Sequence, residues 1–443
     1  MTNQREMSII LYTTRVGQLE ETENECKMKK QGLRKCILLL CLILLTGCQV
    51  GGKNADRDTT GVESGDTGDI GADGEKEEGE GFEAEYIHMK KKEKETIKEQ
   101  MLSIGNLCRT IYAEADKGDA SNVVLEESVV HAMAEETAGR GWAVTCGSYD
   151  YNMLNYEQVH KELLSAAEGR SAEAEFFQIT TSGYFMYFKL LAEKGNLTVT
   201  YANASYDEGM EIQVRQMEKF KVYDWEYTEK GWLIWEKAPS RNQEMDMHSF
   251  FRILPLDEKC REICSQYISP VSYFCNNLFL TDWDAGSMDQ IEFNDLYDFL
   301  YRMKYGEMLD EETARGGIEK EQFENVVQAY FDISAEELER YARYDSVKGV
   351  YPWEPIGAWN RVRQVQPFPE VVKCVDNGDG TRTVYVEGIT IVKGDDCTYR
   401  HTVTMKEKDG RWVYTGNDID EEGSESIPGY KPRREYESLE KIQ

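Results

Sequence analysis

The sequence lacks the residue clusters from which the commonest catalytic sites are built. Its five histidines stand far apart, with no HExxH or comparable zinc-ligand spacing. It also has no GxSxG elbow, phosphate-binding loop or dinucleotide fingerprint. The usual sequence signals of zinc-dependent hydrolysis, acyl transfer and nucleotide chemistry are therefore absent. On this basis we predict no metal, no cofactor and no enzymatic activity.

Positive charge is scarce as well. The chain has 51 lysines and arginines against 82 aspartates and glutamates, which gives a formal net charge of −31. Nucleic acids and anionic lipid headgroups are bound through basic surfaces. We therefore expect no nucleic-acid partner, and the remaining candidates are an unknown protein, a wall polymer or a small ligand.

Long apolar runs are missing except in residues 29–50, "KKQGLRKCILLLCLILLTGCQV". Ten consecutive apolar residues there follow four cations. A helix needs roughly 20 residues to cross the hydrocarbon core of a bilayer, so this run is too short to be a permanent span. The basic flank and the short apolar stretch are typical of a secretory signal.

The end of that run resembles the lipobox of bacterial lipoprotein precursors. Leu45, Thr46 and Gly47 precede Cys48. The resemblance implies that the chain is cut before Cys48 and that this cysteine is acylated. It places the protein on the extracytoplasmic face of the cell membrane, held by a lipid anchor. The alternative is a core helix that happens to end in Thr-Gly-Cys.

Composition divides the chain into six parts. Acidic residues lie upstream of Met28, where a signal should be basic, so we expect translation to begin there. Residues 49–85 alternate glycine with acids and cannot form a core. The predicted parts are a non-native extension (1–27), a signal peptide (28–47), the lipidated cysteine with a disordered acidic linker (48–85), two domains (86–240 and 250–420) and a polar tail (421–443).

Each predicted domain has helices followed by strands. Apolar residues recur every three or four positions near residues 97–111, and a third helix is predicted to open at Asn155 as its cap. Aromatic and β-branched runs separated by glycine turns follow, with matching hairpins at Gly231 and Gly410. We predict an α+β protein with two domains, each with an antiparallel curved sheet. This layout resembles the cones of nuclear transport factor 2-like domains.

Several stretches resemble a family of uncharacterised lipoproteins from Gram-positive anaerobes, which is known as a domain of unknown function. They are "YTEKGWLIWEKA", "ILPLDEKCREICSQYISPVSYFCNNLFLTDWD", "FNDLYDFLYRMKYGE" and "AYFDISAEELERYARYD". The resemblance implies export in a single-membrane cell. It supplies no activity and no catalytic residues.

Seven cysteines follow Cys48. In an exported protein, Cys108 with Cys146 or Cys374 with Cys397 could form disulfides within one predicted domain. The odd number leaves at least one thiol free. Another pair, four residues apart at positions 260 and 264, is a weak metal or redox signal, because the CxxC spacing is absent. Buried apolar cysteine is the alternative interpretation for that pair.

Aromatic residues among Gly and Pro in residues 344–359 suggest a ligand-facing surface. Tyr351, Trp353 and Trp359 could present flat faces to a carbohydrate or peptide, or could instead cover the end of a sheet. The pair Asp282 and Asp284 suggests a glycosidase, although so acidic a chain places carboxylates near an aromatic by chance. A non-catalytic binding module is favoured. The alternatives are a cell-envelope hydrolase with paired carboxylates and the solute-binding lipoprotein of a transporter.

Overall fold

A computed structural model describes residues 84–118, 122–147, 151–239, 248–357, 367–421 and 429–434. The described residues form an α+β protein with several antiparallel sheets, which confirms the predicted fold class. They belong to one compact unit.

Three helices lie in the first part of the described residues, before the long strands. They are α1 (Lys91–Glu114), α2 (Glu127–Ala138) and α3 (Glu157–Ala167). The apolar stripe predicted for α1 is buried at Ile97, Met101, Ile104 and Cys108, because side chains three and four residues apart share one face of a helix. Asn155 is not the cap of α3.

Asn155 instead has a left-handed backbone, with φ 53°. Its side-chain amide donates to the carbonyl oxygens of Ala138 and Trp142, at 2.8 and 2.9 Å. The amide therefore ties the loop before α3 back to the end of α2. The predicted opening of α3 at this residue was wrong for that reason.

A six-stranded sheet follows, in the order β1-β6-β5-β4-β3-β2. Its strands are β1 (Glu85–Tyr86), β2 (Val144–Cys146), β3 (Ala172–Ile179), β4 (Phe185–Glu193), β5 (Asn196–Tyr206) and β6 (Ile212–Lys221). β3 to β6 form the antiparallel meander that the hairpin turns predict, whereas β2 runs parallel to β3. Helices α1 and α2 pack on one face of this sheet, and α3 packs on the other.

A three-stranded sheet lies between the two larger sheets. It consists of β7 (Asp224–Tyr227), β8 (Trp232–Glu236) and β9 (His248–Arg252). Alternate residues of β8 serve opposite sides: Leu233 and Trp235 pack with the six-stranded sheet, whereas Trp232 and Ile234 pack with residues of the C-terminal sheet. Because both faces are covered, all four side chains are buried.

Five helices are described in the second half. They are α4 (Glu258–Ile263), continued by a π-helical turn (Cys264–Ile268), α5 (Phe293–Tyr305), α6 (Glu311–Ala314), α7 (Lys320–Val327) and α8 (Ala335–Tyr341). The capping box predicted at the start of α8 is confirmed, since the Ser334 side chain accepts from the backbone N–H of Glu337 and the Glu337 carboxylate accepts from that of Ser334.

The C-terminal sheet has the order β10-β16-β15-β14-β13. Its strands are β10 (Trp283–Asp284), β13 (Phe368–Asp376), β14 (Thr381–Thr390), β15 (Asp395–Lys408) and β16 (Arg411–Ile419). Two short strands, β11 (Ile318–Glu319) and β12 (Val350–Tyr351), pair separately. α5, α7 and α8 contribute to the same core as this sheet.

Gly231 and Gly410 occupy matching hairpin turns, with φ 87° and 76°. A Cβ on Gly231 would lie 2.4 Å from the Cβ of Leu254, whereas no described atom lies within 4 Å of the equivalent position at Gly410. We expect Gly231→Ala to lower the free energy of unfolding by about 3 kcal/mol, from overpacking and left-handed strain together. Gly410→Ala should cost about 1 kcal/mol, from strain alone. Equal losses in urea denaturation would contradict this difference.

Candidate functional site

The predicted lipobox lies outside the described residues. This applies to Leu45, Thr46, Gly47 and Cys48, to the signal peptide and to the acidic linker before residue 84. Trp359 also lies outside them. The structure therefore gives no geometry for these predictions.

Tyr351 and Trp353 are core residues, with 0% and 3% of their surface exposed. The ring of Tyr351 stacks on Phe323 with centroids 4.2 Å apart, and its hydroxyl donates to Glu324 at 2.8 Å. Strand pairing of β12 with β11 turns this segment inward. Because both side chains are buried, the interpretation that they face a ligand was wrong. The structure gives them the covering role instead.

Asp284 holds a turn, and Asp282 binds the backbone of β16. The Asp284 carboxylate accepts from the backbone N–H of Gly286 at 2.8 Å and from the hydroxyl of Ser287 at 2.9 Å. These hydrogen bonds lower the pKa of Asp284, whereas a general acid needs a raised pKa. Asp282 accepts from the backbone N–H of Ile419 at 2.7 Å. Both carboxylates therefore have structural roles.

A charged pair is buried where the three-stranded sheet meets the C-terminal sheet. Arg252 of β9 and Glu370 of β13 are 8% and 4% exposed, with 3.5 Å between Nη1 and Oε2. The Trp232 indole also donates to Glu370, at 3.4 Å. Arg252 Nε and Nη1 have no hydrogen-bond partner among the described residues. Burial lowers the pKa of Arg252 and raises that of Glu370, so desolvation outweighs their attraction.

A second charged pair nearby is better satisfied. Lys230 lies 2.6 Å from the Glu387 carboxylate, which also accepts from Arg400 Nε at 3.0 Å. Burial of Glu387 opposes ionisation, but the hydrogen bonds from the two cations outweigh it and lower its pKa. We call Lys230, Arg252, Glu370 and Glu387 the central charge cluster. It joins the three-stranded sheet to β13 and β14.

A third charged site holds residues 429–434 against α5. The Arg433 side chain is 1% exposed, and Nη2 donates to the Asp298 carboxylate at 3.0 Å and to the Asp295 carbonyl at 2.7 Å. The Asp295 carboxylate accepts from the Tyr430 hydroxyl at 2.5 Å and from the Arg433 backbone at 2.9 Å. Burial still raises the pKa of Asp295, against the attraction of Arg433. The predicted polar tail thus contains a buried anchor.

Removing this anchor should destabilise the protein measurably. We expect Arg433→Ala to lower the free energy of unfolding by about 2 kcal/mol, because charge-assisted hydrogen bonds are lost. The loss stays below that of a deeply buried pair, since the end segment can lift and let water reach the carboxylates. Arg434→Ala, at the exposed neighbouring position, is the matched control and should change stability little. Equal losses in chemical denaturation would show that Arg433 is no anchor.

His401 lies in the core of the second half and is 2% exposed. Its Nε2 accepts from the Tyr273 hydroxyl at 3.0 Å, and its Nδ1–H donates to Asn417 Oδ1 at 2.7 Å. The Asn417 amide in turn donates to the Thr281 carbonyl, which fixes its orientation and hence the histidine tautomer. Burial lowers the pKa of His401 to about 4. The side chain is a neutral structural histidine at physiological pH.

Sequence analysis missed the central charge cluster and the Arg433 anchor. One signal was available for the first: Arg252 closes "HSFFR", where the phenylalanines predict burial, and a buried cation needs a partner. Among the described residues, no three His, Cys, Asp or Glu side chains are grouped so that they could hold a metal ion. None of the described helices combines the length and apolar character that crossing a membrane requires.

The model of a family of unknown function, DUF6070, matches residues 94–433. This span contains most of α1 and every later element described above. Neither a curated protein nor a solved structure matches the chain. The predicted resemblance to a domain of unknown function is confirmed. Because the match covers more than half of the sequence, the chain belongs to the DUF6070 family.

Proposed function

We propose that the chain is a lipoprotein, anchored through Cys48 on the extracytoplasmic face of the cell membrane. The supporting observation is the order of features in residues 29–50: cations, a ten-residue apolar run, and Leu45, Thr46 and Gly47 immediately before Cys48. A cysteine that carries two fatty-acyl chains gives stable membrane attachment. The apolar run cannot give such attachment itself, because it is too short to span the bilayer.

We propose that the folded residues are a non-catalytic binding or interaction module. The carboxyl groups of Asp295 and Glu370, whose pKa burial raises, are each attracted by a buried arginine, Arg433 for Asp295 and Arg252 for Glu370. Glycoside hydrolysis needs two carboxyl groups roughly 5 to 10 Å apart over the scissile bond, one of them protonated. These two buried acids hold chain segments together instead, and this favours binding over the cell-envelope hydrolase.

The acidic composition suggests how the module is presented. Residues 49–83 alternate glycine with acids, and a flexible chain of this length would reach roughly 30 to 35 Å. The net charge of −31 opposes contact with anionic headgroups. We therefore propose a module held away from the membrane that binds a neutral or cationic partner, such as a protein, a wall polymer or a small ligand.

Metabolic labelling tests the anchor. The full chain is expressed in a Gram-positive host that is fed an alkyne fatty acid, and the label is read on the purified protein. We expect the wild-type chain to be labelled and Cys48→Ser to be unlabelled. Cys41→Ser, within the same apolar run, is the matched control and should keep the label. Labelling that survives in Cys48→Ser would refute the proposed anchor.

Incubation with purified cell wall tests the proposed module. We expect co-sedimentation with the wall, or capture of a protein or solute from it, without release of soluble fragments. Release of reducing sugars or free amino groups that grows with time would overturn the non-catalytic proposal and favour the hydrolase. The labelling and incubation results are independent, so either proposal can fail alone.

A further inference from the structure

Helix α4 lies along strand β13, and two contacts fix how the two elements are aligned. Lys259 pairs with Asp376 at one end, and the Cys264 thiol donates to the carbonyl of Pro369 at 3.4 Å at the other. The chain direction of α4 and its π-helical turn is therefore opposite to that of β13. Between these contacts stand Cys260 on the helix and Cys374 on the strand.

The two thiols meet in this alignment. Cys260 directly follows Lys259 and Cys374 lies two residues before Asp376, so the Lys259–Asp376 pair brings the two cysteines close together, and both pack on the core of the second half. Cys260 is 4% exposed, whereas Cys374 is only partly buried, so Cys374 is the more accessible residue of the pair. Both cysteines are reduced in this structure.

The disulfides considered from sequence have less support. Cys374 pairs with Val384 of β14, which pairs with Val403 of β15, and Cys397 lies six residues before Val403. At about 3.3 Å per residue, this places Cys374 and Cys397 about 20 Å apart, well beyond the limit of about 7 Å between Cα atoms. Cys108 is free and contacts the carbonyl of Met133.

The geometry points to Cys260 and Cys374 as a disulfide-forming pair that links α4 to β13. The reaction takes two thiols and one external disulfide, here glutathione disulfide. The Cys374 thiolate attacks the glutathione disulfide and releases one glutathione. The Cys260 thiolate then attacks the Cys374 sulfur and releases the second. The protein loses two electrons and two protons, and glutathione disulfide is reduced to two thiols.

Burial should make this disulfide slow to form and resistant to reduction. It raises the pKa of Cys260 and raises that of Cys374 to about 12, so little thiolate exists at neutral pH. The rate of formation should rise about tenfold per pH unit between pH 7 and 9. A high-pKa thiol is also a poor leaving group, which slows attack on the finished bond. These properties fit a structural link and not a catalytic one.

Peptide mapping of the purified full chain tests the inference. A glutamate-specific protease places Cys260 alone in residues 259–262 and Cys374 alone in residues 371–387. After incubation with glutathione disulfide at pH 8.5 and alkylation, we expect these two peptides to be linked. Recovery of both as separate alkylated or glutathione-bound peptides after prolonged oxidation would overturn the inference. Links from either one to another cysteine would do the same.

Thermal unfolding supplies a second measurement. Closing a loop of more than a hundred residues should raise the midpoint of the oxidised protein by about 5 °C over the reduced protein. Cys260→Ser and Cys374→Ser should each abolish this difference, and Cys397→Ser, on another strand of the same sheet, should retain it. Formation of the disulfide in the cell rests on the proposed extracytoplasmic location, whereas peptide mapping of the purified chain does not. The disulfide inference and the proposed location can therefore fail separately.

Discussion

Replacing Arg252 with alanine is expected to lower the free energy of unfolding by about 3 to 5 kcal/mol. The substitution leaves the Glu370 carboxylate, 4% exposed, with the Trp232 indole as its remaining hydrogen-bond donor in the described structure. An ionised carboxylate in such surroundings has lost most of its hydration, and Lys230, the other cation that acts on Glu370, is paired with Glu387. Urea denaturation at pH 8 measures the loss.

Two further variants test whether the loss of stability comes from the buried charges of this pair, in contrast to an ordinary surface ion pair. Arg252→Met combined with Glu370→Leu should recover most of the loss, because neither charge then has to be desolvated. Lys230→Ala, which breaks the more accessible pair with Glu387, should cost only about 1 kcal/mol. A double variant as unstable as Arg252→Ala would show that the side chain of Arg252, and not its charge, is what the fold needs.

The loss should also depend on pH. Glu370 has a raised pKa in the folded protein, so its ionised form destabilises the fold, and this cost disappears as pH falls through the folded-state value. Without Arg252 that pKa rises further. The difference between wild type and Arg252→Ala should therefore be smaller at pH 5 than at pH 8.

As the pH falls from 6.5 to 4, His401 alone is expected to lower the free energy of unfolding by about 3 kcal/mol. The unfolded chain binds a proton at this histidine near pH 6.5, whereas the folded protein does so only near pH 4. The contribution of His401 to stability is therefore complete above pH 6.5 and is lost as the pH falls to about 4. Among the described residues, the ring is surrounded by Tyr273, Tyr399 and Asn417, and no carboxylate contributes to its pKa.

His401→Gln tests this expectation. The glutamine amide offers one donor and one acceptor, as the neutral imidazole does, so Asn417 and Tyr273 keep partners of the right kind. Its free energy of unfolding should fall less between pH 6.5 and 4 than that of wild type. His88→Gln removes an exposed histidine and should keep the wild-type slope. Identical slopes for all three proteins would exclude His401 as the source.

Local signals account for the parts of the fold that sequence analysis predicted. The stripe on α1, the capping box at Ser334 and the hairpins at Gly231 and Gly410 each depend on residues a few positions apart. Helix periodicity, capping and turn geometry act at that range. The pairing of β2 with β3 and of β9 with β8 depends on distant segments, which a single sequence does not reveal.

The charged sites escaped prediction for the same reason. Arg252 meets Glu370, and Arg433 meets Asp295, across more than a hundred residues of chain. At Tyr351, glycine and proline in the surrounding sequence suggested an exposed loop, whereas pairing of β12 with β11 buries the residue, which agrees with the covering role and not with the ligand-facing one. Local composition predicts exposure correctly only where the segment is not buried by pairing with a distant strand.

The three-stranded sheet has a consequence for how the protein could be divided. Its β8 strand packs Trp235 against the six-stranded sheet on one side and Trp232 into a small apolar cluster with Ile389 of β14 on the other. A cut on either side of this sheet leaves one fragment with a bare aromatic surface and removes the packing partner of the other. We therefore expect each half to be less stable when it is cut from the other, and recombining halves between relatives would require the junction between them to be inherited intact.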